Sequence, residues 1–335
     1  MNPEYTRRLE KIEAVLDSWL PGQNDARLNE IFQLEFDPSL AESLFKPCHD
    51  LIKRGGKRWR PLLLCLIAES LGGKEENYLP LTPLVEFCHN ASLIHDDIED
   101  NSVERRGKPA IHLIYGQDTA INCGSFLYFL PLACLYAAKI PAETKNRITE
   151  VWGHHLMRLH LGQTMDISWH RDHQSLPSFA EYETMCRLKT GGLARMAAEL
   201  GVCCVRPDDD DLARSYGTAA EDLGYGFQIL DDVKNLRTGN PGKKRGDDVV
   251  EGKKSLPVLI YLYKYSEKRE FAVRCFAAAK KQGISAPEIE EFIADLEKTG
   301  VLDEAYSKGT DLLKKSRQFF DKKGDLLAGF ADLIS

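Results

Sequence analysis

Apolar residues recur along this chain at spacings of three and four, and no run of useful length alternates apolar with polar. The pattern predicts helices nearly throughout. Residues 5–20 form a first amphipathic segment, ended by Pro21-Gly22. Ser39 is the expected N-cap of a second, which carries Leu44, Phe45, Cys48, Leu51 and Ile52 and stops at Gly55-Gly56. Pro61 stands in the first turn of the next, where proline is tolerated, and Gly72-Gly73 closes it. Pro83 opens a long helix that Gly107-Lys108-Pro109 breaks. Helices are expected over residues 118–138, 142–169, 179–204 and 208–236, then an irregular loop over 237–252 and a new start at Ser285-Ala286-Pro287-Glu288. With no fixed repeat and no linker, the expectation is a single all-α domain over residues 1–335, with 1–37 as an N-terminal helical extension within it.

Charge and cysteine usage narrow the classes. A net charge of −7 disfavours a nucleic-acid partner. Nine cysteines without CxxC pairs read as reduced thiols of a cytoplasmic protein, with Cys65, Cys88, Cys123 and Cys134 in the core. The first residues are charged and helical, unlike a signal peptide. Residues 120–138 are apolar enough to consider as a membrane span, but Asn122, Ser125 and Pro131 interrupt them. A core or subunit-contact helix is expected instead, with no transmembrane span, and peripheral membrane association stays open.

Chemistry concentrates in residues 89–106, HNASLIHDDIEDNSVERR. Helical positions four apart share a face, so Asp96 and Asp100 point together, with Asp97 about 100° further round. With Glu99 beside them, these carboxylates repel unless a cation intervenes. Mg²⁺ suits such a cluster because it keeps waters and bridges to phosphates. Arg105 and Arg106 follow, and guanidinium matches phosphate oxygens. The arrangement suits a magnesium diphosphate, although DDxxD alone is also common on solvated helix ends.

Three further stretches belong with it. Residues 55–61, GGKRWRP, set Lys57, Arg58 and Arg60 after glycines that allow close anion approach. Residues 224–236, GYGFQILDDVKNL, repeat the apolar-helix-then-aspartates order, with Gln228 three positions before Asp231 and Asn235 where an acid could stand. Residues 242–253, GKKRGDDVVEGK, alternate Lys244, Asp248 and Lys253 in a loop. The aspartate pairs, about 135 residues apart, can face one another across a helical bundle. His154, His155, His160, His170 and His173 lack convincing co-ligands and are expected on exposed faces. Asp208 to Asp211 read as an acidic helix start.

From Gly55 to about Leu262 the chain resembles the trans-type isoprenyl diphosphate synthases. GGKRWRP, HNASLIHDDIEDNSVERRGKP, LGQTMD, KTGG, FQILDDVKN and GDDVVEGK occur in that family's order. The DDxxN form of the second cluster looks most like the geranylgeranyl diphosphate synthase group. The resemblance implies a helical bundle of the isoprenoid synthase type around a central cavity. It implies condensation of isopentenyl diphosphate with an allylic diphosphate, assisted by about three Mg²⁺ ions. Asp96, Asp100 and Asp231 would hold the metals, with Asp97, Asp232 and Asn235 supporting. Arg105, Lys189 and Lys244 would grip the allylic diphosphate. Gly56, Lys57, Arg60, His89 and Arg106 would bind isopentenyl diphosphate. Thr190 and Gln228 would face the allylic cation, with Gln163, Asp166 and Phe227 lining the site and Asp248 and Lys253 ordering the loop. Small Ala91 and Ser92, with Cys88 deeper, imply an open layer below the metals; Tyr128 and Phe129 would floor it at the geranylgeranyl length. Family members pair through the 118–138 region, so a homodimer is expected. A longer-chain synthase, a terpene cyclase and a non-catalytic regulatory subunit are the competing readings; the basic residues of a second diphosphate pocket argue against a cyclase, and both intact aspartate clusters against an inactive subunit.

Overall fold

The computed structural model describes residues 3–20, 27–172, 174–239 and 244–333. Pro21-Gly22, His173 and Gly242 lie outside them. The fold is all-α. In chain order the helices are α1 (Pro3–Ser18), α2 (Arg27–Phe32), α3 (Glu42–Lys53), α4 (Trp59–Ser70), α5 (Glu75–Tyr78), α6 (Pro83–Glu99), α7 (Ile111–Tyr115), α8 (Gln117–Ala137), α9 (Ala142–Arg171), α10 (Phe179–Cys203) and α11 (Asp210–Arg237). Short α12 (Asp247–Glu251) follows, then α13 (Leu256–Lys264), α14 (Arg269–Gln282), α15 (Pro287–Lys298) and α16 (Val301–Asp321). The chain groups into two compact units, Met1–Gly153 with Met196–Gly217 and His154–Arg195 with Thr218–Ser335.

In the first unit, α8 packs along α6 and against α3. By length and composition α8 could cross a membrane, yet half of its most apolar window is buried inside the fold. Gly124 marks where α6 and α8 touch: a Cβ there would stand 2.6 Å from His95 Nε2. Cys65, Cys88, Cys123 and Cys134 are buried, as expected of small apolar side chains. Helix α1 is fastened by Arg8 to Glu69 (2.7 Å), Lys11 to Glu75 (2.6 Å) and Asp17 to Lys53 (2.5 Å).

In the second unit, Tyr182, Tyr225, Ile229, Val233, Leu259, Phe276 and Phe292 belong to one apolar core. Helix α13 lies on α16 and α14 on α15. Glycines set the closest approaches. A Cβ on Gly224 would stand 2.8 Å from Gly191 Cα, and one on Gly162 2.8 Å from the Lys189 backbone nitrogen. Helices α9, α10 and α11 therefore meet backbone to backbone.

Several local expectations change. Asp37, not Ser39, caps the start: its side chain accepts from Ser39 N (3.0 Å) and opens a 3₁₀ turn, Pro38–Ala41, that runs into α3. An aspartate one residue before proline supplies the oxygen a helix start needs. Asn101, at φ 54°, ends α6, and residues 104–109 turn back as a two-residue antiparallel pair, Glu104–Arg105 with Lys108–Pro109. Its central Arg106 and Gly107 both have positive φ, 53° and 76°, as a tight hairpin turn requires. His155 and His170 are buried rather than exposed, whereas His154 and His160 are exposed. Spacing alone does not reveal which side of a long helix its neighbours cover.

Candidate active site

Helix α6 carries the first cluster. Asp96 and Asp100 are half-buried on its last turn, and Asp97 is 1 % exposed. The hairpin swings Arg105 back onto Asp97, with Nε donating to Oδ1 at 2.9 Å and Nη2 to the same oxygen. Arg54 clasps the hairpin by donating to the carbonyls of Arg105 (3.1 Å) and Pro109 (2.9 Å). So Asp97 anchors the arginine, while Asp96 and Asp100 occupy the more open side.

A basic cluster adjoins it in the same unit. Arg60 is buried, and its Nε finds no hydrogen-bond partner among the described residues. Burial lowers the Arg60 and Arg106 guanidiniums to about 10 each. Burial, then Arg60 and Arg106, hold the His89 imidazole well below its ordinary value, so it is neutral near pH 7. Gly56 lies against this cluster: a Cβ there would be 3.1 Å from Arg106 Nη2 and 3.2 Å from Arg58 Nη1. Lys57 is exposed on the same loop. Buried cations in excess, with an orphaned N–H, suit a polyanion.

The second unit gathers the other residues. The close approach at Gly191 and Gly224 brings Thr190 Oγ1 within 2.6 Å of Gln228 Oε1. Gln228 Nε2 donates to Asp232 Oδ1 (2.7 Å), and Tyr182 OH donates to Asp232 Oδ2 (3.1 Å). Burial first, then Asp248 and Asp231, push the Asp232 carboxyl well above the carboxylate range. Lys189 Nζ stands 2.6 Å from Asp166 Oδ2 on α9. Gln163, Phe227 and Asp231 are half-buried on their helices. Asn235, 1 % exposed, turns into the following loop: Nδ2 donates to Lys244 O (3.4 Å), and Oδ1 accepts from Asp248 N (3.3 Å). Lys253 pairs with Glu251 (2.7 Å) and Asp248 (3.5 Å). Lys244 is exposed.

Comparison with known proteins decides the family. The polyprenyl synthetase family model matches residues 41–293. The chain belongs to the polyprenyl synthetase family. It is a prenyltransferase, close to the geranylgeranyl pyrophosphate synthases. It is 36% identical over 225 residues to the geranylgeranyl pyrophosphate synthase of Eremothecium gossypii, covering 66% of this chain and 70% of that one. It is 32% identical over 284 residues to the geranylfarnesyl diphosphate synthase of Aeropyrum pernix, covering 81% and 85%. Its fold matches the geranylgeranyl pyrophosphate synthase of Corynebacterium glutamicum solved with isoprenyl diphosphate and magnesium, with a TM-score of 0.84, 23% identity and coverage of 98% and 97%.

In this polyprenyl synthetase the expected chain-length residues separate. Cys88 and Ala91 are wholly buried, whereas Ser92 is half-exposed. Tyr128 is buried with its ring 5.7 Å from His95, but Phe129 is 65% exposed. Adjacent helical residues point about 100° apart, so the two rings face different surroundings. Sequence reasoning missed Glu86, Asn90 and Tyr182. Glu86, a carboxylate inside an apolar run, was a readable signal; a tyrosine in a helix was not.

Proposed function

We propose that this prenyltransferase joins isopentenyl diphosphate head to tail to an allylic diphosphate (dimethylallyl, geranyl or farnesyl) and releases all-trans geranylgeranyl diphosphate, in the cytoplasm. The observation that carries the second substrate is the buried Nε of Arg60, without a hydrogen-bond partner among the described residues, beside Arg106 and His89. A single-substrate cyclase has no use for it.

The carboxylates fit a divalent cation. Among the described residues no group of three or more His, Cys, Asp or Glu side chains forms a metal cage. Mg²⁺ is typically held by carboxylates in ones and twos, completed by water and substrate phosphate. Asp232, its charge opposed by Asp248 and Asp231, has the imbalance such a cation relieves. Asp96, Asp100 and Asp231 would hold about three Mg²⁺ ions, which supply Lewis-acid neutralisation of the departing diphosphate. Asp97, Asp232 and Asn235 act behind them, through Arg105, Gln228 and the Lys244 backbone.

The remaining roles follow from the chain's own groups. Arg105, Lys189 and Lys244 hold the allylic diphosphate as its C–O bond breaks and the electron pair leaves with it. Gln163 and Asp166 on α9, Phe227, and Asp248 with Lys253 shape and close that site. Thr190 Oγ1 donates its proton to Gln228 and so offers lone pairs to the allylic cation. Gly56, Lys57, Arg60, His89 and Arg106 hold isopentenyl diphosphate while its double bond attacks that cation. The proton lost in closing the new double bond passes to the released diphosphate.

The test is radiolabelled isopentenyl diphosphate with each allylic primer and Mg²⁺, followed by chromatography. Geranylgeranyl diphosphate is expected. Asp96→Ala and Asp231→Ala should lower turnover by about three orders of magnitude with unchanged circular dichroism. A cyclic product formed without isopentenyl consumption would overturn the reading.

A further inference from the structure

Arg58 lies between Lys57 and Arg60 in the same basic run, yet each of its three side-chain nitrogens already donates within the protein. Nε donates to Glu13 Oε1 (2.7 Å), Nη1 to Glu86 Oε1 (2.8 Å) and Nη2 to the Ile52 carbonyl (2.6 Å). Its side chain is 2% exposed. Its three nitrogens are thus all held by the protein itself. Glu86 Oε1 also accepts from Asn90 Nδ2 (3.0 Å), which donates to the Glu86 carbonyl as well (2.7 Å). Those bonds fix the Asn90 amide, leaving Oδ1 to accept from Arg106 Nη1 at 3.1 Å. A continuous chain of polar contacts therefore runs from Glu13 on α1 through Arg58, Glu86 and Asn90 to Arg106.

Two features show that this chain sets a geometry. Arg58 holds a left-handed backbone, φ 48°, which a side-chain-bearing residue keeps only where its surroundings impose it. The guanidiniums of Arg58 and Arg106 also border Gly56, Arg106 Nη2 standing 3.1 Å and Arg58 Nη1 3.2 Å from where a Cβ would be. Glu13 lies outside the family match, which begins at residue 41.

We propose that Glu13, Arg58, Glu86 and Asn90 are positioning residues for isopentenyl diphosphate, fixing Arg106 and the Gly56 backbone without touching the substrate. This rests on the reading that Gly56, Lys57, Arg60, His89 and Arg106 hold that diphosphate. Helix α1 thereby takes part in substrate affinity through one carboxylate.

The test is steady-state kinetics of the full chain with Mg²⁺, varying each substrate separately. Glu13 is 40% exposed, so Glu13→Ala should fold. It should raise KM for isopentenyl diphosphate about 5- to 20-fold, with kcat and the allylic KM within about twofold. Glu13→Gln keeps an acceptor for Arg58 and should recover most of the loss. Lys11→Ala, which removes a different tie of α1 to its unit, should leave both KM values in place. Asn90→Ala should give the same split as Glu13→Ala. An unchanged KM in Glu13→Ala and Asn90→Ala overturns the proposal, as does an equal effect from Lys11→Ala, which would mean general docking of α1. Arg106→Ala separates the levels. If it fails to raise KM for isopentenyl diphosphate, the pocket reading fails and this proposal with it. If it succeeds while Glu13→Ala and Asn90→Ala do nothing, only the positioning chain is lost.

Discussion

Thr190 Oγ1 donates to Gln228 Oε1 at 2.6 Å, and the same amide donates onward to Asp232 at 2.7 Å. The hydroxyl proton is committed to Gln228, so the threonine oxygen presents electron pairs. Thr190→Val should lower kcat about tenfold with little change in either KM, since one neutral hydrogen bond is lost. Thr190→Ser should retain most activity. Equal turnover in the valine and serine variants, measured under saturating substrates, would remove the hydroxyl from the mechanism.

Asp232 makes stability depend on pH in an unusual direction. Burial, with Asp248 and Asp231 adding to it, raises its folded-state pKa above the unfolded value of about 3.9. A raised folded pKa means that the folded state binds the proton more tightly. The resulting stabilisation is present below the unfolded pKa and is lost as pH rises through the folded one. In EDTA the stability that Asp232 contributes, read as the wild type set against Asp232→Asn, should therefore fall from acid toward neutral pH. Asp232→Asn should melt about 2–4 °C higher at pH 8. Mg²⁺ should stabilise the wild type more than the variant. Melts by fluorimetry across pH check this, and a variant that melts lower at every pH would reverse the sign.

The long helices were legible because proline, glycine and apolar runs punctuate them. The apolar segment expected over 118–138 is Gln117–Ala137, and that expected over 179–204 is Phe179–Cys203. Gly191 and Gly224 stand out in sequence, and they are where α10 and α11 touch. The failures have physical causes. Phe129 follows buried Tyr128 in one apolar run yet points outward, because helical phase is set by whichever neighbours pack. The pairing of Glu13 with Arg58 spans 45 positions, and no local rule connects them. The two bonds that tie Asn235 to the following loop, to Lys244 O and from Asp248 N, likewise join positions no local rule links.

Arg105 has two tasks, which can be separated. It is the guanidinium facing buried Asp97, and removing one partner of a buried pair costs about 3–5 kcal/mol because the other charge is left uncompensated. Arg105→Ala should thus lower both melting temperature and turnover. Adding Asp97→Asn should restore much of the stability and none of the activity. Thermal melts and kinetics on the single and double variants check the separation; recovered turnover in the double variant would show that Arg105 acts only through the fold.

Helix α8 exposes Ile121, Phe129 and Tyr136, and α7 exposes Leu113. Apolar side chains presented together along one segment mark an association surface. A symmetric homodimer is expected in solution. Phe129→Glu should lower its association constant by at least about tenfold, because a charge would then be buried at the interface. Light scattering at micromolar concentration checks both statements, and a fully active wild-type monomer would remove this role.

Product length turns on which side chain the growing prenyl tail can reach. Ser92 lies one turn before Asp96 and is half-exposed, while Ala91 beside it has no exposed surface. The Ser92 hydroxyl donates back to the His89 carbonyl at 2.8 Å, so its outer side carries no polar demand. A phenylalanine at position 92 would project into accessible space and block the tail. Ser92→Phe should therefore shift the main product from geranylgeranyl toward farnesyl diphosphate, with condensation intact. Ala91→Phe would force a ring into packed core at a cost of about 1–3 kcal/mol. It should lower the melting temperature more than it changes the product. Tyr128→Ala removes a buried ring behind His95 and should lengthen the product, whereas Phe129→Ala should leave length unchanged in the same assay. Chromatography of dephosphorylated products, set beside melting curves for the four variants, reads both effects. If Ala91→Phe shortened the product while Ser92→Phe did not, the tail would run along the other side of α6.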